Sequence, residues 1–228
     1  MKQIIIDLSH PFKADMPLWP GDPVFLVEQF STLPLNGYFM NKVSCGEHSG
    51  THIGAPCHFN PRGVDVAGIP AQDLVLPAVK IDISQYCQNN PDYLLTVQDM
   101  LAWEQQHLKI PSHCVALVQT GWDRFWNNPH RYFGLAENTM HFPGISMEAA
   151  QFLAAQRQVA GVGIDTAGID GGLSQDFAAN KALGDANIYH LENLTNLAQL
   201  PETGAILFIG ALPIAGGSGS PCRVVGLW

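Results

Sequence analysis

The stretch His48-Ser-Gly-Thr-His52-Ile-Gly-Ala-Pro-Cys-His58 places three histidines within eleven residues. Gly50, Gly54 and Pro56 lie between them, which argues against a regular helix and predicts a loop that turns the imidazoles toward one point. Neutral imidazole is a common metal ligand and also a proton carrier near neutral pH, so the cluster suits metal binding or acid–base catalysis. The alternative interpretation is three surface or hydrogen-bonded histidines without a chemical role.

The rest of the sequence has the composition of an ordinary folded protein. Its 228 residues are 46% hydrophobic and contain no repeat or low-complexity tract, which predicts a single domain over residues 1–228. The formal net charge is −9 and no Lys/Arg cluster occurs, so we expect a small-molecule substrate and no nucleic acid. The N-terminus does not resemble a signal peptide, and no run of roughly 20 apolar residues occurs, which predicts a cytoplasmic protein without membrane contact.

The five cysteines are scattered and odd in number: Cys45, Cys57, Cys87, Cys114 and Cys222. They form no C-x-x-C pair, so we expect neither a disulfide framework nor a structural zinc knuckle, and mostly reduced, buried thiols. Cys57 is a possible nucleophile beside His58, but adjacent residues on an extended backbone point to opposite faces. A small buried side chain is therefore the favoured interpretation of Cys57.

Short runs rich in Val, Ile and Leu between turn residues predict seven strands, at residues 2–8, 24–27, 78–83, 114–119, 160–164, 205–209 and 223–227. Helical spacing predicts three helices, at residues 96–107, 146–158 and 192–200, with Thr96 and Ser146 at the N-terminal ends of the first two. Strands at both ends with helices in the middle favour a mixed-sheet α/β or barrel-like core over a regular βαβ repeat.

Further motifs are distributed along nearly the whole chain: Asp7-Leu-Ser-His10, Trp19-Pro-Gly-Asp22, Gly163-Ile-Asp-Thr166, Ile169-Asp170, Glu192-Asn-Leu-Thr-Asn-Leu197 and Gly217-Ser-Gly-Ser-Pro-Cys-Arg223. Together with residues 48–58, they resemble the cyclase family, which includes bacterial kynurenine formamidases and isatin hydrolases. The family signature H-x-G-T-H-x-D-x-P-x-H is matched except at Gly54.

The resemblance implies a swivelling β/β/α fold of the α/β class, with a barrel-like mixed sheet flanked by helices, assembled as a homodimer or homotetramer. It also implies hydrolysis of an N-formyl or cyclic amide by a metal-activated water, as in an arylformamidase. By the same resemblance, His48 and His52 are ligands of a first divalent ion and Glu192 contributes to a second. His58 is then the general acid/base.

Two departures from the family pattern change the expected metal content. Gly54 replaces an aspartate that usually bridges two ions, and Asn180 replaces a histidine twelve residues before Glu192. We therefore expect one divalent ion, zinc or manganese, because histidine and carboxylate ligands suit both metals. Glu192, Cys57 and His190 remain open as the third ligand beside His48 and His52.

Other residues are candidates for supporting the site or contacting the substrate. Trp19 belongs to a loop that borders the active site by resemblance, and Thr51 lies inside the histidine motif. Asp165 and Thr166 follow a predicted strand, a common place for site residues but also for turns. Asn180 is included because of its place in the family pattern. The Gly/Ser segment at residues 217–220 is interpreted as a turn, since it lacks the lysine of a phosphate-binding loop.

Two other functions fit the same residues. A metal-free lyase or cyclase acting on a small organic acid or lactone would use His58 for proton transfer and would be insensitive to chelators. A non-catalytic descendant would bind a small ligand in the inherited pocket, and specific turnover above that of a His58→Ala variant would exclude it.

Overall fold

A computed structural model describes residues 3–228. Within that range the strands are β1 (Ile5–Asp7), β2 (Leu26–Ser31), β3 (Met40–Ser44), β4 (His52–Gly54), β5 (Val75–Asp82), β6 (Leu94–Leu95), β7 (Val115–Gln119), β8 (Gly144–Ile145), β9 (Gly161–Ile164), β10 (Tyr189–Glu192), β11 (Ala205–Ala211) and β12 (Gly219–Leu227). The α-helices are α1 (Leu33–Asn36), α2 (Ser84–Cys87), α3 (Val97–His107), α4 (Pro129–Tyr132), α5 (Met147–Phe152) and α6 (Ala178–Asp185).

Seven of these strands close into a mixed barrel. Their order is β12-β11-β5-β7-β9-β10-β4, and β4 pairs back onto β12, while β1 extends the sheet beyond β12. The neighbours from β5 through β7 and β9 to β10 are parallel, and the remaining pairs are antiparallel. The predicted barrel-like mixed sheet with flanking helices is confirmed.

The alternation of side chains along β7 separates two hydrophobic cores. Val115 and Leu117 belong to a cluster inside the barrel, whereas Ala116 and Val118 belong to a cluster under the helices. All four side chains are fully buried. A strand that is covered on both faces has a continuous run of apolar residues in the sequence. This run is why the strand predicted at residues 114–119 matches β7 closely.

The predicted helix starts at Thr96 and Ser146 are confirmed. The Thr96 hydroxyl accepts a hydrogen bond from the Asp99 amide at 3.2 Å, and the Asp99 carboxylate accepts one from the Thr96 amide at 2.8 Å. This reciprocal pair is a capping box. The Ser146 hydroxyl likewise accepts from Ala149 N, and α5 continues as a π-helical turn over Leu153–Arg157.

The helix predicted at residues 192–200 is wrong. Glu192 ends β10, which is held in the barrel by β9 and β4. Asn193 and Asn196 then adopt left-handed backbone conformations, with φ of 56° and 59°, and these interrupt any regular helix. Only a 3-10 turn over Leu197–Gln199 remains of the predicted element.

Helix α6 was not predicted, because its N-terminus is stabilised from a distance. The carboxylate of Asp170 accepts hydrogen bonds from Ala179 N at 2.8 Å and Asn180 N at 3.0 Å. An N-terminal cap normally lies next to its helix in sequence, whereas this one precedes Ala179 by nine residues. Local patterns therefore gave no sign of it.

All five cysteines are free, with Cys87, Cys114 and Cys222 buried. No helix among the described residues is long and apolar enough to cross a membrane. Strand β2 pairs with β3 in a separate two-stranded sheet whose side chains are mostly exposed. Residue 2, at the start of the first predicted strand, lies outside the described residues, and the homodimer or homotetramer stays a prediction.

Candidate active site

The register of two barrel strands, β4 and β10, brings imidazoles together. On β4, His52 lies directly opposite Glu192 of β10, and Gly54 lies opposite His190. Ile53, between His52 and Gly54, packs into the barrel interior, so its two neighbours face the other side of the sheet. The sequence predicted a loop over residues 48–58, but its centre is a strand, and that strand supplies the register.

Short distances link the members of this cluster. His52 Nε2 lies 3.3 Å from Glu192 Oε2, and His190 Nε2 lies 3.7 Å from Glu192 Oε1. The rings of His48 and His52 meet edge to face at 5.1 Å, while His48 and His58 stack at 3.9 Å. Potential ligand atoms of His48, His52 and His190 all lie within 4.8 Å of one another. The fold therefore brings together all three histidines of the motif and adds His190.

The hydrogen bond of His52 determines which ring nitrogen can bind a ligand. Its Nδ1 lies 2.9 Å from the Gly50 carbonyl oxygen, which can only accept, so we assign the proton to Nδ1. Nε2 then has a free lone pair and makes no hydrogen bond within the part of the chain that the structure describes. That lone pair lies near Glu192 Oε2, so two electron-rich atoms approach each other, an arrangement that a shared cation would stabilise.

His48 is oriented by a serine that the sequence assigned to a turn. Its Nε2 lies 2.9 Å from Ser218 Oγ, and that hydroxyl lies 2.7 Å from Glu47 Oε2. Because an ionised carboxylate only accepts, the single hydroxyl proton goes to Glu47, and His48 Nε2 donates to Ser218. Nδ1 of His48 is then the nitrogen with the lone pair. Such outer partners fix the orientation and tautomer of ligating histidines.

The charges in the cluster also favour a cation. Burial lowers the pKa of His190 to about 4, and burial with the neighbouring His52 lowers the pKa of His48 to about 2. Burial lowers the pKa of His58 as well, so these imidazoles are neutral near pH 7. Burial alone would raise the pKa of Glu192, but attraction to His190 and His52 in their protonated forms and the hydrogen bond from Ile169 N lower it to about 2, so the carboxylate loses its proton before His190 does.

The donor set fits a divalent metal ion. Two ligands on a tetrahedral ion with bonds of about 2.0–2.1 Å lie roughly 3.3–3.4 Å apart, which matches the His52–Glu192 separation of 3.3 Å. Neutral imidazoles beside an ionised carboxylate are ligands that zinc and manganese accept. The unpaired Nε2 of His52 is the structural observation that supports this fit.

The cluster forms one wall of a cavity of about 270 Å³. Four aromatic side chains form much of the remaining wall: Trp19, Phe59, Phe133 and Phe177. Trp19 meets Phe133 edge to face at 6.2 Å. No lysine or arginine among residues 3–228 lines the cavity. The volume lies near the lower end of the range for small-molecule sites, about 300–1,000 Å³.

Two of the predicted supporting residues, Trp19 and Asn180, line this cavity. Asn180 Nδ2 donates to Asp170 Oδ2 at 2.9 Å, and because the carboxylate only accepts, this contact assigns the orientation of the amide. Oδ1 of Asn180 is therefore a buried acceptor without a partner in residues 3–228.

Asp165 and Thr166 do not line the cavity, so the structure gives them no contact with a substrate there. Asp165 accepts from the Thr120 amide at 2.9 Å, from the Thr120 hydroxyl at 2.6 Å and from Gly121 N at 2.8 Å. The Thr166 hydroxyl donates to the Gly168 carbonyl oxygen. Both residues hold together loops at the ends of the parallel strands.

Thr51 and Cys57 are also outside the cavity lining. The Thr51 hydroxyl donates to the Asn193 carbonyl oxygen at 2.6 Å and accepts from His10 N, which links the motif to two other segments. The Cys57 thiol contacts the Gly217 carbonyl oxygen, and burial raises its pKa. Cys57 is half-buried rather than buried, and it is not among the residues whose ligand atoms cluster with those of His48 and His52.

Three polar residues around the cluster were not singled out from the sequence for a role. Asp22 lines the cavity, and burial raises its pKa. Ser218 orients His48 across a separation of 170 residues and is itself hydrogen-bonded to Glu47. The sequence could have indicated Asp22, because it ends the Trp19-Pro-Gly-Asp22 motif. Glu47 and Ser218 could not be paired from the sequence, since only the fold brings them together.

A family model described as "Putative cyclase" matches residues 6–171. This match covers more than half of the chain, and the chain belongs to the cyclase family. The isatin hydrolase of Roseibium aggregatum is 32% identical over 216 residues, which cover 90% of this chain and 81% of that protein. The kynurenine formamidase of Bacillus thuringiensis is 27% identical over 221 residues, covering 96% and 95%.

Solved structures show the same relationship. Isatin hydrolase A from Ralstonia solanacearum is 34% identical, with a TM-score of 0.93 over 99% of this chain and 92% of that one. Isatin hydrolase A from Labrenzia aggregata, solved with bound benzyl benzoate, is 33% identical with a TM-score of 0.93, covering 99% and 93%. The implied cyclase-family fold is confirmed, and the named relatives are hydrolases.

Proposed function

We propose that the protein is a metal-dependent hydrolase that opens the C–N bond of an N-formyl or cyclic amide on a flat aromatic ring. The observation that supports this most directly is the cavity, which has neutral imidazoles and an ionised carboxylate on one wall and four aromatic rings on another. The aromatic side chains suit a planar ring. The relatives named isatin hydrolase and kynurenine formamidase support the same reaction class.

The charge of the cavity limits the proposed substrate further. Asp22, Asp170 and Glu192 line it, and no lysine or arginine among residues 3–228 does so. A substrate with a free carboxylate would face these acidic groups, and the only cation that the proposal places beside it is the metal ion itself. An uncharged aromatic amide, and in particular a bicyclic lactam, fits the lining better than an amino acid.

The proposed metal ligands are His48, His52 and Glu192. When bound, a divalent ion polarises a carbonyl group and lowers the pKa of water. The chain prepares for this through Ser218 and Gly50, which hold the rings of His48 and His52 in place by hydrogen bonds. Glu192 accepts a hydrogen bond from Ile169 N at 2.9 Å, which fixes the carboxylate.

His58 is the proposed general acid/base. It ends the 3-10 turn Pro56–His58, lines the cavity and stacks on His48. Because burial lowers the pKa of His58, the ring is neutral near pH 7 and can accept a proton from the attacking water at a ring nitrogen. It then delivers the proton to the nitrogen that leaves the acyl carbon.

Asn180 is the proposed contact for the substrate N–H group. Its Nδ2 is held by Asp170, and its Oδ1 has no partner in the described part of the chain. A buried acceptor without a partner disfavours an empty site, so a ligand that donates a hydrogen bond is favoured over one that does not. This contact selects an amide over a lactone.

The test is hydrolysis of isatin and formanilide by the full chain before and after treatment with a chelator. We expect turnover of at least one substrate, loss after chelation, recovery with added metal and near-complete loss in His58→Ala. His130→Ala is the matched control, since His130 is exposed and outside the cavity lining. Chelator-insensitive turnover would favour a lyase or cyclase, and ligand binding without turnover would favour a binding protein.

A further inference from the structure

We propose that His190 is a third imidazole ligand in this site, that Gly54 is the residue that makes room for it, and that the site therefore selects zinc over manganese. The inference deepens the metal site of the proposed function. It is argued from the packing of the imidazole rings against two glycines on neighbouring strands.

The first observation is the space above Gly54. A Cβ atom at this position would lie 2.0 Å from His190 Nε2 and 2.3 Å from its Cε1, whereas real Cβ contacts essentially never fall below 3.0 Å. His190 is only 3% exposed and belongs to a central strand, so its ring cannot move into solvent. Any side chain at position 54 would therefore displace the imidazole of His190.

The second observation comes from the neighbouring strand. Gly219 of β12 lies directly opposite Gly54, on the side of β4 away from His190. A Cβ atom at Gly219 would lie 2.7 Å from Cε1 of His48. The paired glycines, Gly54 and Gly219, thus form a glycine floor on which the rings of His190 and His48 lie.

The third observation is the set of donors gathered over this floor. Ligand atoms of His48, His52 and His190 lie within 4.8 Å of one another, and His52 Nε2 has no hydrogen-bond partner in the described part of the chain. Three nitrogen donors outnumber the single carboxylate of Glu192. Imidazole-rich sites suit zinc, whereas manganese prefers carboxylate, carbonyl and water oxygens. The donor set therefore favours zinc.

The experiment is calorimetric titration of the chelator-treated full chain with zinc and, separately, with manganese. We expect one zinc per chain and manganese binding at least about 100-fold weaker. His190→Ala should weaken zinc binding at least about 100-fold, because it removes a ligand. Gly54→Ala removes no donor, yet it should weaken zinc binding by a similar factor. His130→Ala should bind zinc like the wild type.

A second measurement keeps the proposal falsifiable if either variant fails to fold, as judged by circular dichroism. In the cobalt-substituted wild-type protein, each ligating imidazole contributes one paramagnetically shifted N–H proton resonance that disappears in D2O. We expect three such resonances, and two would overturn the proposal. Zinc affinity unchanged in a folded His190→Ala variant would also overturn it.

These outcomes separate the inference from the proposed function. If His190→Ala binds zinc like the wild type and hydrolyses isatin, the third ligand is refuted and the hydrolase stands. If the wild type shows three imidazole resonances but hydrolyses neither isatin nor formanilide, the metal site stands and the proposed function is refuted.

Discussion

Two buried carboxylates lie at the ends of neighbouring parallel strands, and their surroundings differ. Asp165 follows β9 and is enclosed by hydrogen bonds from the Thr120 amide, the Thr120 hydroxyl and Gly121 N. Glu192 ends β10 and faces the rings of His52 and His190 in a cavity. Because β9 and β10 are parallel neighbours, both carboxylates lie at the same edge of the sheet. They differ in the groups that surround them. A carboxylate surrounded by backbone amides holds loops together, whereas one facing imidazole lone pairs is available to a ligand.

The largest effect on activity is expected from a substitution of His58, which lines the same cavity as Glu192. His58→Ala should lower kcat/KM for isatin by about 10²–10⁴-fold, which is the usual contribution of a general acid/base. Zinc stoichiometry, measured by elemental analysis, should remain that of the wild type, because His58 is not a proposed ligand. A variant with full activity would remove His58 from the mechanism.

The comparison is tested directly by making both carboxylates neutral. Glu192→Gln should weaken zinc binding by at least about 10–100-fold and lower activity accordingly. Asp165→Asn places the side-chain NH2 group of asparagine next to the backbone N–H groups of Thr120 and Gly121, where no acceptor is available. It should therefore lower the free energy of unfolding by about 1–3 kcal/mol, while the folded protein keeps its kcat/KM. Urea unfolding and steady-state kinetics on both variants give the two readouts. If Asp165→Asn is stable and inactive, the assignment of the two carboxylates is reversed.

The pH dependence of the unfolding free energy should also distinguish Asp165 from Glu192. Burial raises the pKa of Asp165 to about 7 from its ordinary value of 3.8. The stability that this group contributes is therefore fully present below pH 4 and is lost as the pH rises through 7. Between pH 4 and 7 we expect the unfolding free energy of the wild type to fall more steeply with pH than that of Asp165→Asn. The difference between the two slopes should stay below about 1.4 kcal/mol per pH unit, the limit for one titrating group. Parallel curves for the two proteins would contradict the raised pKa.

The smallest effect concerns the substrate contact at Asn180. Loss of one neutral hydrogen bond is worth about 0.5–1.5 kcal/mol, so Asn180→Ala should raise KM for isatin roughly 2–10-fold. N-methylisatin lacks the N–H group, and the variant should treat it as the wild type does. If Asn180→Ala discriminates between the two substrates as strongly as the wild type, Asn180 does not contact the N–H group.

The sequence predicted much of the fold and the histidines of the site, for identifiable reasons. Continuous apolar runs and capping residues are local signals, and they identified β7 and the start of α3. The Asp170 cap of α6 and the contact between Gly54 and His190 join residues that are distant in sequence. Asp165 and Glu192 both follow apolar runs, so sequence position could not show which one faces imidazoles. Only the register of the barrel decides that.

The most direct test of the central claim is a zinc titration of the chelator-treated full chain, with isatin ring opening followed by absorbance. We predict no turnover without metal, a linear rise with added zinc and a plateau at one equivalent per chain. Turnover at the full rate without metal, or a plateau at two equivalents, would contradict a mononuclear site centred on His48 and His52.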